Sequence, residues 1–306
     1  MLSQNIRPRR SVLYMPGSNT RALGKARILP VDSLIFDLED AVAPEAKVQA
    51  RQCVIAAVTE GGYKQREIVV RVNGLDTPWG RDDIAAIAKL PIQGVLLPKV
   101  NTPTQIEQAI EWLDKNGGEA TLPIWMMAET PQGILNIDRI AGCHPRLAVI
   151  IMGTSDLAKD MRVRHTKDRI GLLVPLSLCV MAARAHGLEI IDGVHLNLDD
   201  EEGFQAACTQ ARDLGFDGKT LIHPKQIEVA NQIFAPSAME VKHAREILGA
   251  WEEAQKQGKG VVVVNGRLVE NLHVEEAKRL LELASVIGER NGNGNGTKEN
   301  GVHHDN

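Results

Sequence analysis

Short runs rich in valine, isoleucine and leucine alternate along the chain with longer stretches whose apolar residues recur every three to four positions. The short runs fall at 11–15, 33–38, 68–73, 94–98, 123–129, 147–153, 189–194 and 220–223, and each reads as a buried parallel strand. Between them, 44–59, 104–115, 172–186 and 201–214 read as amphipathic helices. The first opens on a proline suited to a first helical turn, and it stops before Gly61-Gly62. In 201–214, Phe204, Cys208 and Ala211 share one side, while Glu202, Gln205 and Arg212 face water. Eight strands alternating with helical stretches predict a (β/α)8 TIM barrel over residues 1–235. A doubly wound sheet is the alternative arrangement.

Beyond the eighth strand the rhythm changes. A helix over 238–257 leads to a short apolar run at 261–264, the tight-turn pair Asn265-Gly266, and another helix at 274–287. Residues 236–288 are therefore expected to form a short C-terminal helical extension that caps a site or reaches a neighbouring subunit. The tail, 289–306, is rich in Asn and Gly and poor in apolar residues, and it is expected to be disordered.

Composition narrows the class. A chain of 306 residues with 43% hydrophobic residues is long enough to bury roughly 75% of its extended surface. A net charge of -4 with both signs interspersed offers no basic field for a nucleic-acid backbone. No apolar run reaches membrane-spanning length, and the opening segment lacks a signal-peptide pattern, so no membrane partner is expected. Four scattered cysteines, Cys53, Cys143, Cys179 and Cys208, fit reduced thiols and a cytoplasmic setting.

Candidate chemistry lies where acids follow apolar runs. Asp37, Glu39 and Asp40 close the second strand, Glu129 the fifth, and Asp156 follows the sixth. In a parallel barrel these ends converge on one mouth, and two carboxylates there suit Mg²⁺, which takes oxygen ligands and keeps several waters. Taken singly, Glu129 could instead pair with Arg71, and Asp156 could cap a short helix. Arg71, after Val69-Val70 and before Asn73, is poised near the end of the third strand, where its guanidinium can hold an anionic oxygen or a structural carboxylate. The turn at Gly17-Ser18-Asn19, with Arg10 and Lys25 nearby in sequence, offers donors for a phosphate. His195 and His223, at later strand ends, suit acid–base chemistry or, more simply, loop or substrate positioning. No Gly-x-Ser-x-Gly elbow, Walker loop or dinucleotide fingerprint is present.

In order, RRSVLYMPGSN, DLEDAVAPEAKVQAR, VVRVNG, Glu129-Thr130, GTSDLAKD and GKTLIHPKQI resemble the citrate-lyase beta-subunit-like and malyl-CoA lyase family, within the HpcH/HpaI aldolase group. The likeness runs from Arg10 to about Ala277. It implies a (β/α)8 barrel and Mg²⁺ held by Glu129 and Asp156. The activity implied is a carbon–carbon lyase that cleaves or forms a β-hydroxyacyl-CoA thioester of the malyl-, citramalyl- or citryl-CoA type. The products would be a small α-keto acid and an acyl-CoA. Arg71 matches the arginine at the reacting oxygens, Asp37, Glu39 and Asp40 the acidic segment around the metal, and Arg10 and Lys25 the phosphate-binding end. A homotrimer or hexamer is also implied. Related lyases carry a C-terminal aspartate that enters a neighbouring active site. Here Gly266-Arg267-Leu268-Val269-Glu270-Asn271 places Glu270 there, an acid one methylene longer, suited to proton transfer or to a structural contact. A malyl-CoA-type thioesterase, a metal-dependent aldolase acting without CoA, and a non-catalytic acyl-CoA-binding protein are the alternatives.

Overall fold

The computed structural model describes residues 6–294. It divides into two compact units, Arg9–Phe234 and a second comprising Ala235 onward with the segment before Arg9. In the first unit eight parallel strands close on themselves in sequence order: β1 (Ser11–Pro16), β2 (Ser33–Asp37), β3 (Glu67–Arg71), β4 (Gly94–Leu97), β5 (Ile124–Ala128), β6 (Leu147–Met152), β7 (Glu189–Asp192) and β8 (Gly218–Leu221). Pairing of Val12 with Thr220 and Leu13 with Leu221 joins β1 to β8 and completes the barrel. Helices lie outside it: α1 (Thr20–Lys25), α2 (Lys47–Glu60), α3 (Gly80–Ile87), α4 (Pro103–Lys115), α5 (Pro131–Leu135), α6 (Ile137–Ala141), α7 (Thr154–Met161), α8 (Leu173–Ala185), α9 (Glu201–Leu214) and α10 (Ile227–Ile233).

Alternation along the strands separates two cores. Val12, Ile35, Val69, Leu96 and Trp125 pack inside the barrel in a cluster made of strand residues. Their neighbours Leu13, Leu34, Phe36, Val70 and Val95 point outward into a second core shared with the helices. Each fully buried Val, Leu or Ile contributes about 1.5–3 kcal/mol, so both layers favour closure. Local signals fix the helix ends. In α4, Thr102 and Gln105 form a capping box, Pro103 occupies the first turn, and Ile106, Ala109, Ile110 and Leu113 line the buried face. Asp200 caps α9 by accepting from Gly203 N. The expected helix at 44–59 begins with a 3₁₀ turn at Pro44–Ala46, and α2 proper starts at Lys47.

The amino end of the barrel is sealed. Arg9 lies 5.1 Å from the Trp125 ring centroid and bridges Glu67 (2.7 Å) and Glu189 (2.5 Å), with Ser33 adding a bond to Glu67. Chemistry is thereby left to the carboxyl end.

The second unit is built from α11 (Ala238–Lys256), the hairpin β9 (Val262–Val264) and β10 (Arg267–Val269), and α12 (Asn271–Gly294). Asn265 and Gly266 both have positive φ, as a two-residue hairpin turn requires. Ala244, Ile247, Trp251, Val264, Val269 and Val274 form its core. The tail expected over 289–306 is helical as far as 294, a correction at its first six positions, because α12 continues the hydrogen-bond ladder past its last apolar residue. Positions 295–306 lie outside the described residues.

Candidate active site at the carboxyl ends of the strands

Asp37 and Arg71 occupy the last positions of β2 and β3 and are direct register partners, so the sheet delivers them side by side. Arg71 Nε and Nη2 donate to the two oxygens of Asp37 at 2.7 and 2.6 Å, a bidentate pair in which both groups are buried. Its Nη1 approaches Glu39 Oε2 at 3.0 Å and the Met127 sulfur at 3.4 Å. Burial alone would disfavour the guanidinium charge, but the surrounding carboxylates hold it firmly protonated. The Asp37 carboxylate also accepts from the backbone N–H groups of Glu39 and Ala41, and it thereby shapes the loop after β2.

Glu129 follows β5 directly and is 1% exposed. One carboxylate oxygen accepts from Lys99 N at 2.7 Å, and among the described residues no cationic side chain pairs with it. Burial pushes its pKa up to about 7, against the opposing pull of the Lys99 N–H and Arg71. The alternative partnership with Arg71 is thus not formed, since Asp37 and Glu39 take that guanidinium. Glu129 lies over Gly153, where a Cβ would collide with the Glu129 Cβ and Oε2 atoms. Gly153 is the N-cap of α7, and Asp156 stands half-buried in the first turn of that helix. Glu129 and Asp156 therefore sit at the same end of adjacent strands, with the Glu129 side chain against the start of the helix that carries Asp156. Among the described residues no group of three or more His, Cys, Asp or Glu side chains is placed to hold a metal by itself.

Asp40 lies at the rim, 3.8 Å from Arg71 Nη1 and 3.6 Å from Lys99 Nζ, and it is exposed. Burial would raise its pKa, but Glu39, Arg71 and Lys99 together hold it below the usual carboxylate range. Arg10 is elsewhere. It precedes β1, its guanidinium donates to both oxygens of Asp32 at 2.8 and 2.9 Å, and it is buried at the amino end. The phosphate contact expected of Arg10 is corrected accordingly. Sequence proximity to Gly17 is misleading, because six strand residues of about 3.3 Å each separate the two. Two of the backbone donors expected at the Gly17 turn are engaged: Gly17 N bonds the Asp37 carbonyl, and Asn19 N bonds the Pro16 carbonyl. Lys25 is exposed in the last turn of α1. His223 caps the turn after β8, and His195 is half-buried with its carbonyl bonded by Gln226. Glu270 belongs to the second unit. It is exposed at the exit of β10, and its N–H is bonded to His273 Nδ1 at 3.1 Å.

A profile of the HpcH/HpaI aldolase/citrate lyase family matches residues 10–224, the span of the barrel. The chain belongs to the HpcH/HpaI aldolase/citrate lyase family. Among the relatives of this family member is the (3S)-malyl-CoA thioesterase of Cereibacter sphaeroides (strain KD131 / KCTC 12085), 48% identical over 94% of this chain and 98% of that protein. Citrate lyase subunit beta of Leuconostoc mesenteroides subsp. cremoris is 38% identical over 92% and 95%. Among solved structures, the protein CitE from Mycobacterium tuberculosis in complex with magnesium, acetoacetate and coenzyme A superposes with a TM-score of 0.72 at 28% identity. That match covers 91% of this chain and 98% of CitE.

Lys99 had no assigned role in the sequence, yet it lies at the centre of this member's mouth. It follows β4 in a left-handed conformation, φ 49, that turns its N–H onto Glu129 while its ammonium bonds Glu39. The signal was available, because a polar residue after 94–98 occupies the same kind of strand end as Glu129. Lys47 was also passed over. Buried and 5.4 Å from the Trp79 ring centroid, its ammonium donates to the carbonyls of Leu38 and Glu39 at 2.9 and 2.7 Å. Asn73, bonded to Asp83, holds Leu38 O from the other side. Together they fix the loop that presents Glu39 and Asp40.

Proposed function

We propose that this family member is a Mg²⁺-dependent enzyme acting on the CoA thioester of a short hydroxy acid of the malyl type, and that its net reaction is hydrolysis of the thioester. The observation that carries the metal-and-acid site is Glu129: a buried carboxylate that no cationic side chain among the described residues pairs, at a mouth whose guanidinium is already balanced by Asp37 and Glu39. An unpaired buried carboxylate is costly unless a cation is supplied. The cradle over Gly153, which any Cβ would fill, and the hard oxygen donors of Glu129 and Asp156 fit Mg²⁺. Those two residues would hold it, and the bound ion would polarise a substrate oxygen as a Lewis acid.

The protein's own groups supply the rest. Arg71, fixed by Asp37, orients the acyl portion and stabilises negative charge that develops on it. Asp40, on the rim, organises water and substrate at the opening, and Lys25 contributes positive charge for the phosphates of CoA. Glu270 supplies an acid for proton transfer, in an assembly of three or six chains. In hydrolysis, water adds to the thioester carbonyl, the oxyanion collapses, and the CoA thiol departs from a free hydroxy acid.

Carbon–carbon cleavage is the second reading, favoured by the 38% identity to a citrate lyase beta subunit over most of the chain. There the substrate hydroxyl loses its proton and the bond electrons pass to the CoA fragment as an enolate. An α-keto acid leaves, and the enolate carbon is protonated. Malyl-, citramalyl- and citryl-CoA, each supplied with Mg²⁺ and followed by mass spectrometry of every acid and CoA product, separate these outcomes. Malate plus free CoA supports hydrolysis, and glyoxylate plus acetyl-CoA supports cleavage. No turnover of any of the three overturns both.

A further inference from the structure

Two hydrogen-bond donors at the mouth converge on one poor acceptor. Tyr14 points inward from β1, half-buried, and its hydroxyl lies 3.8 Å from the Met127 sulfur. Arg71 Nη1 lies 3.4 Å from the same atom. The guanidinium carbon of Arg71 sits 4.8 Å from the Tyr14 ring centroid, so the two side chains are stacked and their donors held at a fixed angle. A thioether is a weak acceptor on a flexible side chain, whereas a phenol and a guanidinium are strong donors. No other partner of the Tyr14 hydroxyl is found among the described residues. Burial pushes the Tyr14 phenol up, so it keeps its proton across the physiological range.

The geometry points to Tyr14 as a further catalytic residue: its O–H and the Nη1–H of Arg71 form a two-donor site for the thioester carbonyl oxygen of the substrate, with the Met127 sulfur as the stand-in acceptor. This rests on the malyl-CoA-type reading, but it does not depend on which bond is broken. Water attack places negative charge on that oxygen in a tetrahedral oxyanion, and carbon–carbon cleavage places it there in an enolate. A fixed pair of donors stabilises either one more than the neutral carbonyl.

Tyr14→Phe keeps the ring and its stacking while it deletes the donor. With the Mg²⁺-loaded enzyme and the most active of the three thioesters, kcat is expected to fall about 10²-fold, with KM changed far less and the melting temperature retained. Acetyl-CoA labelled with ¹³C at its thioester carbonyl gives a second readout. Its carbonyl stretch should shift to lower frequency on binding the wild-type holoenzyme, and Tyr14→Phe should lose part of that shift. An unchanged kcat, or an unchanged carbonyl frequency in the variant, overturns the assignment. If wild-type protein turns over none of the thioesters, the parent reading falls, and the carbonyl shift still decides the role of Tyr14.

Discussion

Arg71→Lys keeps the positive charge and removes the fork, so it isolates what the planar guanidinium contributes. In the native mouth three charge-assisted contacts radiate from Arg71, two hydrogen bonds to Asp37 and an ion pair with Glu39 at 3.0 Å. A lysine ammonium on a shorter, unforked stem can keep one of the Asp37 bonds, and the other two are lost. Charge-assisted bonds contribute about 1.5–3 kcal/mol each, a gross loss of about 3–6 kcal/mol. The retained charge and backbone donors to Asp37 offset part of this, leaving about 2–4 kcal/mol. At about 2–4 °C per kcal/mol for a domain of this size, the melting temperature should drop by about 4–16 °C. Activity should suffer more than stability. A single ammonium nitrogen held against Asp37 cannot also occupy the position of Nη1, so kcat/KM should fall by at least about 10²-fold. Differential scanning calorimetry and steady-state kinetics on the Mg²⁺-loaded protein read the two effects separately. A variant that melts within about 1 °C of wild type and turns over at the wild-type rate refutes the claim that the fork organises this mouth.

Gly153→Ala should cost about 1–3 kcal/mol in thermal denaturation and raise the Mg²⁺ concentration needed for half-maximal activity, because the new methyl meets the Glu129 carboxylate. Wild-type metal dependence would show that Glu129 does not use this cradle. Asp192→Asn, at the helix-facing side of β7, should cost about 3–5 kcal/mol at pH 7 in urea denaturation, since it leaves the buried Lys219 ammonium short of a charge. Burial would raise the Asp192 pKa, but Lys219 and Arg169 hold it below the usual value. Its stabilisation is therefore full above the unfolded pKa of about 3.9 and fades as pH falls through the lower folded value. The gap between variant and wild type should close below that pH, and a gap independent of pH would contradict the assignment.

All eight strands are legible in the hydrophobic pattern, but seven of the apolar runs overshoot the carboxyl end by one or two residues. Residues such as Val72, Pro98 and Gly153 are apolar or small because the mouth loops are packed, although they have left the strand ladder. β8 begins earlier than its pattern suggests, at Gly218, because Lys219 is buried there against Asp192 and Gly193 O. Burial of a lysine reverses the usual reading of a charged residue as solvent-facing, and only the partner on β7 explains it. The acids Asp37 and Glu129 were readable by position alone. Lys99 shares that kind of strand-end position, but only the backbone turn shows that it faces Glu129 and Glu39, and Tyr14 passes for a core aromatic until the Arg71 stack is seen. Arg10 failed in the opposite direction: nearness in sequence to a turn said nothing about which end of a strand it occupies.

A hard cation held between Glu129 and Asp156 is the centre of the proposed chemistry. Mn²⁺ titration followed by electron paramagnetic resonance, with Mg²⁺ as competitor, measures this without any assumption about substrate. Wild-type protein should bind one Mn²⁺ per chain and release it to Mg²⁺, while Glu129→Gln and Asp156→Asn remain folded and bind far more weakly. Wild-type binding retained in both variants would contradict it.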